Sequence, residues 1–383
     1  MVCTEKPYPA FNSTLSILKE ICGSENVQEL RIRDYGLHGA TKTHVLLKLF
    51  YILLQDIILY FKLVTYYKTA GVNVVLSFQG YFPLTWIGLK IMRVKTIVYI
   101  GGSAFKDSYY RGTTISTTIL AHSNILLQEI CSKYSDIIVI PARKLLTQFN
   151  LQKYVDKVHP AVSIINHDFF NEFKVIKGYK KRKNVIGYVG NLARGKGILD
   201  LFEGIRIIVD DLGDEAPHFL IVGGGELYSY LKNKLDTCKL SDVLLTGHVP
   251  HKALPKYYNE MKLLILPSYT EGLPSVILEA MACGTPVLAT PVGAIPDIIK
   301  DGETGFLLKS NNPKHIADKL IDLLSKPELL EKVSKNAYNY VRENFSYEKT
   351  LESWRKIIRE IEAQNEDSVC SRFCQSFCWC WLD

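Results

Sequence analysis

Two carboxylates eight positions apart lie in one otherwise apolar stretch of the sequence. The stretch EGLPSVILEAMACGTPVLAT, residues 271–290, opens with Glu271 and carries Glu279 among aliphatic residues. An ionised carboxylate without a partner in a low-dielectric interior is costly. The sequence therefore predicts that Glu279 is paired with another side chain, a backbone terminus or a ligand.

The same stretch predicts a helix that presents its N-terminus to Glu271. Pro274 suits a first helical turn and Gly284 suits the position just past a helix end, so we expect the helix to start near residue 273. On this helix Glu279 shares a face with mostly small residues: Ser275, Ala282 and Cys283. Such a pocket can hold a group bearing both phosphates and hydroxyls, because helix N-termini favour anions and carboxylates accept strong hydrogen bonds.

Two further glycine-bearing loops follow predicted strands. The loop VGNLARGKG, residues 189–197, places three glycines around Arg194 and Lys196, which favours a phosphate, although a plain turn explains it equally well. Its spacing matches neither a P-loop nor the dinucleotide fingerprint. The loop VGGGE, residues 222–226, is uninformative by itself.

The elements that carry these loops alternate between short β-branched runs and helical stretches, which is typical of parallel sheets covered by helices. In the first half we predict strands at 72–78, 96–102 and 136–142, and helices at 44–68, 84–92 and 115–133. The pattern restarts at residue 185, with further strands up to "GFLLK" (305–309) and helices from 313 to about 364. The prediction is an α/β fold of two Rossmann-like, doubly wound domains that face each other across a cleft.

The run from 185 to about 345 resembles the C-terminal domain of the retaining family 4 glycosyltransferases of the GT-B fold. It matches their E-G-x-P-x-x-x-x-E-A-x-A-x-G-x-P-V pattern at Glu271, Gly272, Pro274, Glu279, Ala280, Ala282, Gly284, Pro286 and Val287. The stretches VGAIPDIIKDGETGFLL and NFSYEKTLESWRKII also look like the family's.

The resemblance implies a division of the chain into five parts. We expect an acceptor-binding domain at 1–168, a basic linker at 169–184 and a donor-binding domain at 185–345. The charge run KVIKGYKKRKN (174–184) within the linker is expected to be solvated. A helix at 346–366 would cross back to the first domain, and a cysteine-rich tail would occupy 367–383.

The resemblance also implies roles for individual residues. Glu279 would bind the ribose hydroxyls of a nucleotide, Glu271 the transferred sugar, and Lys196 the diphosphate. Arg194 would compensate for Asn191, which stands where the family commonly has arginine after Gly190. The remaining implied donor-binding residues are Gly224, His248, Val249, Gly272, Leu273, Pro274 and Ser275. No metal and no cofactor is expected.

The first half departs from the family pattern in two places. The first strand is missing or shortened, because "MVCTEKPYPAFNST" begins almost at the loop that should follow it. Where the family often has a histidine near the reacting sugar, this chain has Gly101 and Gly102, whose backbone N–H groups remain candidates for donor contact. His122 is expected to be an ordinary surface or capping histidine.

The function implied by the resemblance is metal-independent transfer of a sugar, with retention, from a UDP- or GDP-linked donor to an acceptor hydroxyl. No side chain stands out as a general base, which suits proton transfer to the leaving phosphate. Two alternatives are a catalytically impaired homologue that binds nucleotide sugars and a nucleotide-sugar epimerase on the same scaffold. Neither the donor base and sugar nor the acceptor can be identified from the sequence, although a glycan or lipid-linked glycan is a reasonable acceptor.

Composition and charge set the remaining expectations. A net charge of +7 and a hydrophobic content of 47% suit an ordered protein with an anionic ligand or a membrane surface as partner, and no aromatic-basic interleaving indicates nucleic acid. The apolar segment 44–68 is interrupted by Lys48, Gln55, Asp56 and Lys62, so it predicts either a buried helix or one that lies on a membrane. We expect a cytoplasmic protein, peripheral to the inner membrane face if the helix contacts lipid.

The nine cysteines fall into two groups. Five are scattered, as expected for reduced thiols, and four crowd near the C-terminus at Cys370, Cys374, Cys378 and Cys380. Without a histidine or a C-x-x-C pair the four only weakly indicate a metal site, and a loose tail is the favoured interpretation.

Overall fold

The computed structural model describes residues 9–32, 45–70, 74–78, 82–102, 115–162, 165, 168–238, 240, 242–364 and 377–382. The chain divides into two compact units: unit 1 joins Met1–Asn166 to Tyr347–Asp383, and unit 2 is His167–Ser346. The helix Tyr347–Ala363 therefore belongs with the N-terminal half of the chain.

Unit 1 is built on a six-stranded parallel sheet. Its described helices are α1 (Pro9–Cys22), α2 (Val45–Ala70), α3 (Pro83–Ile91), α4 (Ile115–Tyr134), α5 (Leu145–Gln148) and α14 (Tyr347–Ala363). Its strands are β1 (Val27–Ile32), β2 (Val74–Phe78), β3 (Lys95–Tyr99), β4 (Ile137–Ile140), β5 (Val158–Pro160) and β12 (Phe377–Leu382), in the order β1-β12-β2-β3-β4-β5. The buried Trp354 of α14 stacks on Tyr99 at the end of β3, with ring centroids 6.5 Å apart. The crossover helix is thus part of the unit 1 core.

The prediction of a loose C-terminal tail is wrong for residues 377–382. Strand β12 lies between β1 and β2, and Phe377 is in parallel register with Val27 on one side and Val74 on the other. The segment FCWCWL is rich in aromatic residues, which favour strands. Cys370 and Cys374, like the N-terminal residues 1–8, lie outside the described residues.

Helix α2 has a buried face and an exposed face, so the first of its two predicted alternatives, an almost entirely buried helix, is wrong. Its buried face carries Asp56, which accepts hydrogen bonds from the backbone nitrogens of Leu84 (2.7 Å) and Thr85 (2.8 Å). Asp56 thereby caps the first turn of α3, which explains a carboxylate in an apolar helix. In the described part of the chain, no helix combines the length and apolar composition needed to cross a bilayer.

Unit 2 is a second six-stranded parallel sheet, in the order β11-β10-β9-β6-β7-β8. Its strands are β6 (Val185–Val189), β7 (His218–Val222), β8 (Val243–Gly247), β9 (Leu263–Leu266), β10 (Val287–Ala289) and β11 (Phe306–Leu307). Its helices are α6 (Phe169–Glu172), α7 (Ile198–Leu212), α8 (Tyr228–Cys238), α9 (Leu254–Glu260), α10 (Ser275–Ala282), α11 (Ile295–Ile298), α12 (Pro313–Leu324) and α13 (Pro327–Asn344). These elements confirm the strand and helix alternation predicted for this half.

The basic stretch 174–184 is mostly exposed, as predicted for a solvated linker, but Tyr179 and Arg182 are buried in unit 2. Arg182 is only 4% exposed, and its guanidinium donates to the carbonyl oxygen of Cys283 (2.6 Å) and to the hydroxyl of Thr285 (2.7 Å). Burial lowers the pKa of Arg182 to about 10. The charge is buried because backbone carbonyls and hydroxyls accept its hydrogen bonds.

Candidate active site

Two of the predicted glycine loops are joined by backbone contacts at the carboxyl ends of β6 and β7. Gly190 N donates to Val222 O (3.0 Å), and Leu192 N donates to Gly224 O (2.8 Å). A Cβ on Gly223, whose φ is +143°, would lie 1.9 Å from the carbonyl oxygen of Gly190. Glycine at 223 is therefore required for the two loops to meet.

The first loop also contacts the segment that precedes Glu271. Tyr269 N donates to Gly195 O at 3.0 Å. Gly197 has a φ of +64°, and a Cβ there would lie 1.9 Å from the carbonyl oxygen of Pro267. This close approach brings the basic residues 194–196 to the loop after β9.

Lys196 and Glu271 form an ion pair within this arrangement. The Nζ of Lys196 lies 2.8 Å from Oε1 of Glu271, and the Ser268 hydroxyl donates to the same oxygen at 2.6 Å. Glu271 is 9% exposed, whereas 31% of the Lys196 side chain is exposed. The pair therefore combines a partly accessible cation with a nearly buried carboxylate.

Helix α10 begins at Ser275, two residues later than predicted. Pro274 precedes the helix with an extended ψ of 116° instead of occupying its first turn, so it ends the loop. Gly284 follows the helix with a φ of +65°, which confirms the predicted end. The loop before α10 is supported by Ala294 N, which donates to Gly272 O at 2.9 Å. Ile277 N donates to Pro274 O at 3.2 Å, and the N-terminal end of α10 favours an anion through the helix dipole.

Glu279 is paired with two side chains of unit 2. It is 2% exposed, and its Oε2 accepts a hydrogen bond from the phenol of Tyr258 at 2.7 Å. Its Oε1 lies 3.1 Å from Nε2 of His251, whose ring packs edge-on against Phe173. The hydrogen bond to Glu279 raises the pKa of His251, and burial raises that of Tyr258 well above its ordinary value. The buried carboxylate thus has protein partners before any ligand binds.

Sequence reasoning did not single out His251 and Tyr258. The seven-residue spacing between them, across the start of α9, was the available signal, because residues seven apart in helical structure lie on one side. The spacing matters because both side chains contact the carboxylate of Glu279, which only the structure shows.

The remaining predicted donor residues line the same end of the unit 2 sheet. A Cβ on Gly224 would lie 3.7 Å from that of His248, and the exposed His248 ring contacts the carbonyl oxygen of Val249 at 3.1 Å. Asn191 and Arg194 are exposed, and the Asn191 side chain lies beside Gly225. Gly272, Leu273 and Ser275 are half-buried.

The predicted residues outside unit 2 are Gly101, Gly102 and His122. The two glycines follow β3 in unit 1 and are half-buried. His122 is exposed on α4, with Nδ1 2.8 Å from the carbonyl oxygen of Thr118, which confirms an ordinary surface histidine.

Acidic, histidine and cysteine side chains do not assemble a metal site anywhere in the described residues. Of the described cysteines outside β12, Cys22, Cys131 and Cys283 are buried, and Cys238 is half-buried. Burial raises the pKa of Cys283, beside Glu279 on α10, to about 12. Burial therefore favours the neutral thiol at Cys283.

Comparison with known proteins follows the boundaries of unit 2. Residues 169–340 match the family described as glycosyl transferases group 1. This match lies within unit 2 and covers less than half of the chain. The match covers all the paired and loop residues described above except those of unit 1.

Two curated relatives are similar to part of this chain. An uncharacterized glycosyltransferase of Methanocaldococcus jannaschii is 31% identical over 159 residues, which is 42% of this chain and 45% of that protein. The capsular polysaccharide biosynthesis glycosyltransferase CapM of Staphylococcus aureus is 30% identical over 205 residues, 50% of this chain and 52% of CapM. The matched part thus spans about half the length of each of these relatives.

The structure of HepE from Anabaena superimposes on nearly the whole chain. Its TM-score is 0.69 at 15% identity, with 94% of this chain and 98% of HepE covered. At this identity the likeness establishes the fold alone. Together with the two parallel sheets, it identifies the fold as GT-B.

Proposed function

We propose that this protein transfers a sugar from a nucleotide diphosphate sugar to an acceptor hydroxyl, with retention of anomeric configuration. The observation that carries the proposal is the Lys196–Glu271 pair at the N-terminal end of α10. A cation and a carboxylate are paired there, and Glu271 lies four positions before the first residue of the helix. A sugar diphosphate presents phosphates and hydroxyls side by side, which is what this combination binds.

The reaction requires stabilisation of a departing diphosphate. The bond between the anomeric carbon and the phosphate oxygen breaks, and a bond to the acceptor oxygen forms on the same face of the sugar. The acceptor proton passes to the leaving phosphate oxygen, so no protein base is needed. Lys196 and the N–H groups at the start of α10 stabilise the charge that develops on that phosphate.

Glu271 is proposed to hold hydroxyls of the transferred sugar, and Glu279 those of the ribose. When Lys196 turns to the diphosphate, Glu271 gains acceptor capacity for the sugar. A carboxylate offers about four lone-pair sites. Tyr258 and His251 therefore leave Glu279 able to accept from a ribose hydroxyl.

No metal is included in the proposed mechanism, since Lys196 and the helix N-terminus supply the positive charge. The nucleotide base is left as uracil or guanine. HepE, which shares the fold, has been solved with UDP-glucose. This makes UDP-glucose a sensible first donor to assay.

The acceptor is proposed to be a glycan or a lipid-linked glycan. CapM is named for capsular polysaccharide biosynthesis, and this chain shares half its length with CapM. We accordingly propose a role in the synthesis of a polysaccharide, glycan or glycolipid, with the protein at a membrane surface.

The test combines binding with transfer. Thermal shifts with UDP, GDP and ADP are compared for the wild type, Glu279→Ala and the control Glu303→Ala, which removes a carboxylate outside the site. A nucleotide at 100 times its Kd stabilises the protein by about 2.7 kcal/mol, and we expect this shift only in the wild type and the control. The product anomer is then determined by NMR in the presence of EDTA.

Three outcomes would contradict parts of the proposal. Absence of any nucleotide shift in the wild type would reject the donor site. Binding without transfer to any acceptor would favour a catalytically impaired homologue. An inverted product, or activity abolished by EDTA, would reject the retaining metal-independent mechanism.

A further inference from the structure

Helix α2 of unit 1 presents a continuous apolar face to the outside. Leu54, Ile57, Ile58 and Phe61 are all exposed, Phe61 to 64%. They are spaced at i, i+3, i+4 and i+7, which places them on one side of the helix. The opposite side, with Asp56, Leu59 and Leu63, is buried in unit 1. The exposed face is therefore a separate surface and not the edge of the core.

The neighbouring helix α3 enlarges this surface. A Cβ on Gly88 would lie 2.2 Å from Cε2 of Tyr60, so α3 packs closely against α2. One turn after Gly88, Ile91 is 78% exposed. Ile91 is thus a further exposed apolar side chain, on the helix that packs against α2, and exposed apolar patches mark interaction sites.

The described charges on α2 are distributed unevenly. Lys62 and Lys68 are exposed, whereas Asp56, the acidic residue of α2, is turned inward to cap α3. The outward surface is therefore apolar with lysines beside it. Lysine stems can lie along apolar surface while the ammonium reaches a charged boundary.

We propose that the α2 face, Leu54, Ile57, Ile58 and Phe61 with Lys62 and Lys68, docks on the surface of a bilayer that contains anionic lipids. A helix with this pattern lies in the interfacial plane, with its apolar side at the boundary of the acyl chains and its lysines at the headgroups. A second copy of this chain fits less well. A symmetric contact through the same face would bring Lys62 and Lys68 of both copies together.

This inference deepens the proposed function and rests on it in one respect. A lipid-linked acceptor would be presented at the surface on which α2 docks. Docking itself uses no residue of the unit 2 site. A failure of docking therefore leaves the nucleotide shifts unchanged, and a failure of the donor site leaves vesicle binding unchanged.

The experiment is flotation of the full chain with phosphatidylcholine vesicles containing a third phosphatidylglycerol, or none. The variants Phe61→Glu and Leu54→Glu are compared with Leu244→Glu, which changes a leucine of unit 2 that is 61% exposed. We expect the wild type and Leu244→Glu to float with anionic vesicles, and the α2 variants to bind at least about ten-fold more weakly. Lys62→Gln and Lys68→Gln should each weaken binding about five-fold, the equivalent of ~1 kcal/mol per lysine near an anionic surface.

Folding of each variant is checked by circular dichroism and by the nucleotide thermal shift. Two results would overturn the proposal. One is a wild type that floats with neither vesicle. The other is a concentration-dependent dimer, detected by sedimentation and abolished by Phe61→Glu, without vesicle binding, which would make the face a contact between copies.

Discussion

The ammonium of Lys196 lies 2.8 Å from the carboxylate of Glu271, although 75 positions separate the two residues in the chain. Lys196 reaches this position because Gly195 and Gly197 bring its loop against Tyr269 and Pro267. The nearly buried Glu271 also accepts from Ser268, so it keeps a donor when Lys196 moves. The Lys196 ammonium can therefore move to an anionic ligand while Glu271 still accepts a hydrogen bond from Ser268.

We predict that Lys196→Ala lowers the rate of sugar transfer by about 100-fold or more, because a preorganised charge on the leaving group contributes ~3 kcal/mol to the transition state. The unfolding free energy should change little, since Lys196 is partly exposed. Turnover with UDP-glucose and a urea melt measure the two quantities. Lys314→Ala, a change at an exposed ion pair of unit 2, is the control. Equal activities of the two variants would remove Lys196 from the mechanism.

Glu271→Gln separates the two parts of that pair. Loss of the carboxylate frees Lys196, so the affinity for free UDP should be retained or increased. Transfer should fall by about ten-fold or more, because a sugar hydroxyl loses a charged acceptor. Calorimetry with UDP and the turnover assay distinguish the effects. If UDP affinity and turnover fall together, Glu271 has a structural role only.

Tyr258→Phe should destabilise unit 2 by ~1–3 kcal/mol, because it removes a donor from a carboxylate that is buried beside it. Urea unfolding of this variant is compared with that of Tyr230→Phe, where the tyrosine is exposed. Equal midpoints would show that Glu279 finds another donor. Binding of UDP should weaken in Tyr258→Phe and stay unchanged in Tyr230→Phe, since the phenol of Tyr258 helps to orient Glu279.

Local patterns predicted much of unit 2, and long-range pairing accounts for most of what they missed. The positions of the loop at 189–197 and of the helix after Pro274 could be predicted from local sequence, because glycine, proline and the spacing of apolar residues mark them. Arg182 was taken for part of a solvated run, because its acceptors at Cys283 and Thr285 are about a hundred positions away.

Strands β1 and β12 were missed for a similar reason. A parallel strand pair leaves no turn signal between its members. The segment FCWCWL therefore looked like a tail in a sequence where nothing local points to Val27 or Val74 as neighbours.

The His251–Glu279 contact predicts a pH dependence of stability. The pKa of His251 is raised in the folded protein, mainly by the hydrogen bond to Glu279. Burial opposes this rise, whereas the negative charges of Glu279 and Glu172 add to it. Tyr258 and Phe173, which also face this group, stay uncharged. The stabilisation is therefore fully present below the unfolded pKa, about 6.5, and is lost as the pH rises through the higher folded pKa.

His251→Gln should remove this dependence. Free energies of unfolding between about pH 5.5 and 9 are measured for the wild type, His251→Gln and His122→Gln, which changes an exposed histidine of unit 1. We expect the wild type and His122→Gln to lose stability with rising pH relative to His251→Gln. Parallel curves for all three would show that His251 titrates alike in the folded and unfolded states.

Strand β12 should be required for unit 1, because it is hydrogen-bonded to both β1 and β2. Trp379 pairs with Glu29 on one side and Leu76 on the other, so Trp379→Pro removes a backbone donor from the middle of the ladder. We expect the melting temperature of unit 1 to fall by several degrees, and the amides of Val27–Ile32 to exchange faster with solvent.

Ser368→Pro places the same residue before the strand and should leave β1 protected. The UDP shift, which reports unit 2, should persist in both variants. Unchanged protection of β1 in Trp379→Pro would mean that β1 is held in the sheet without β12.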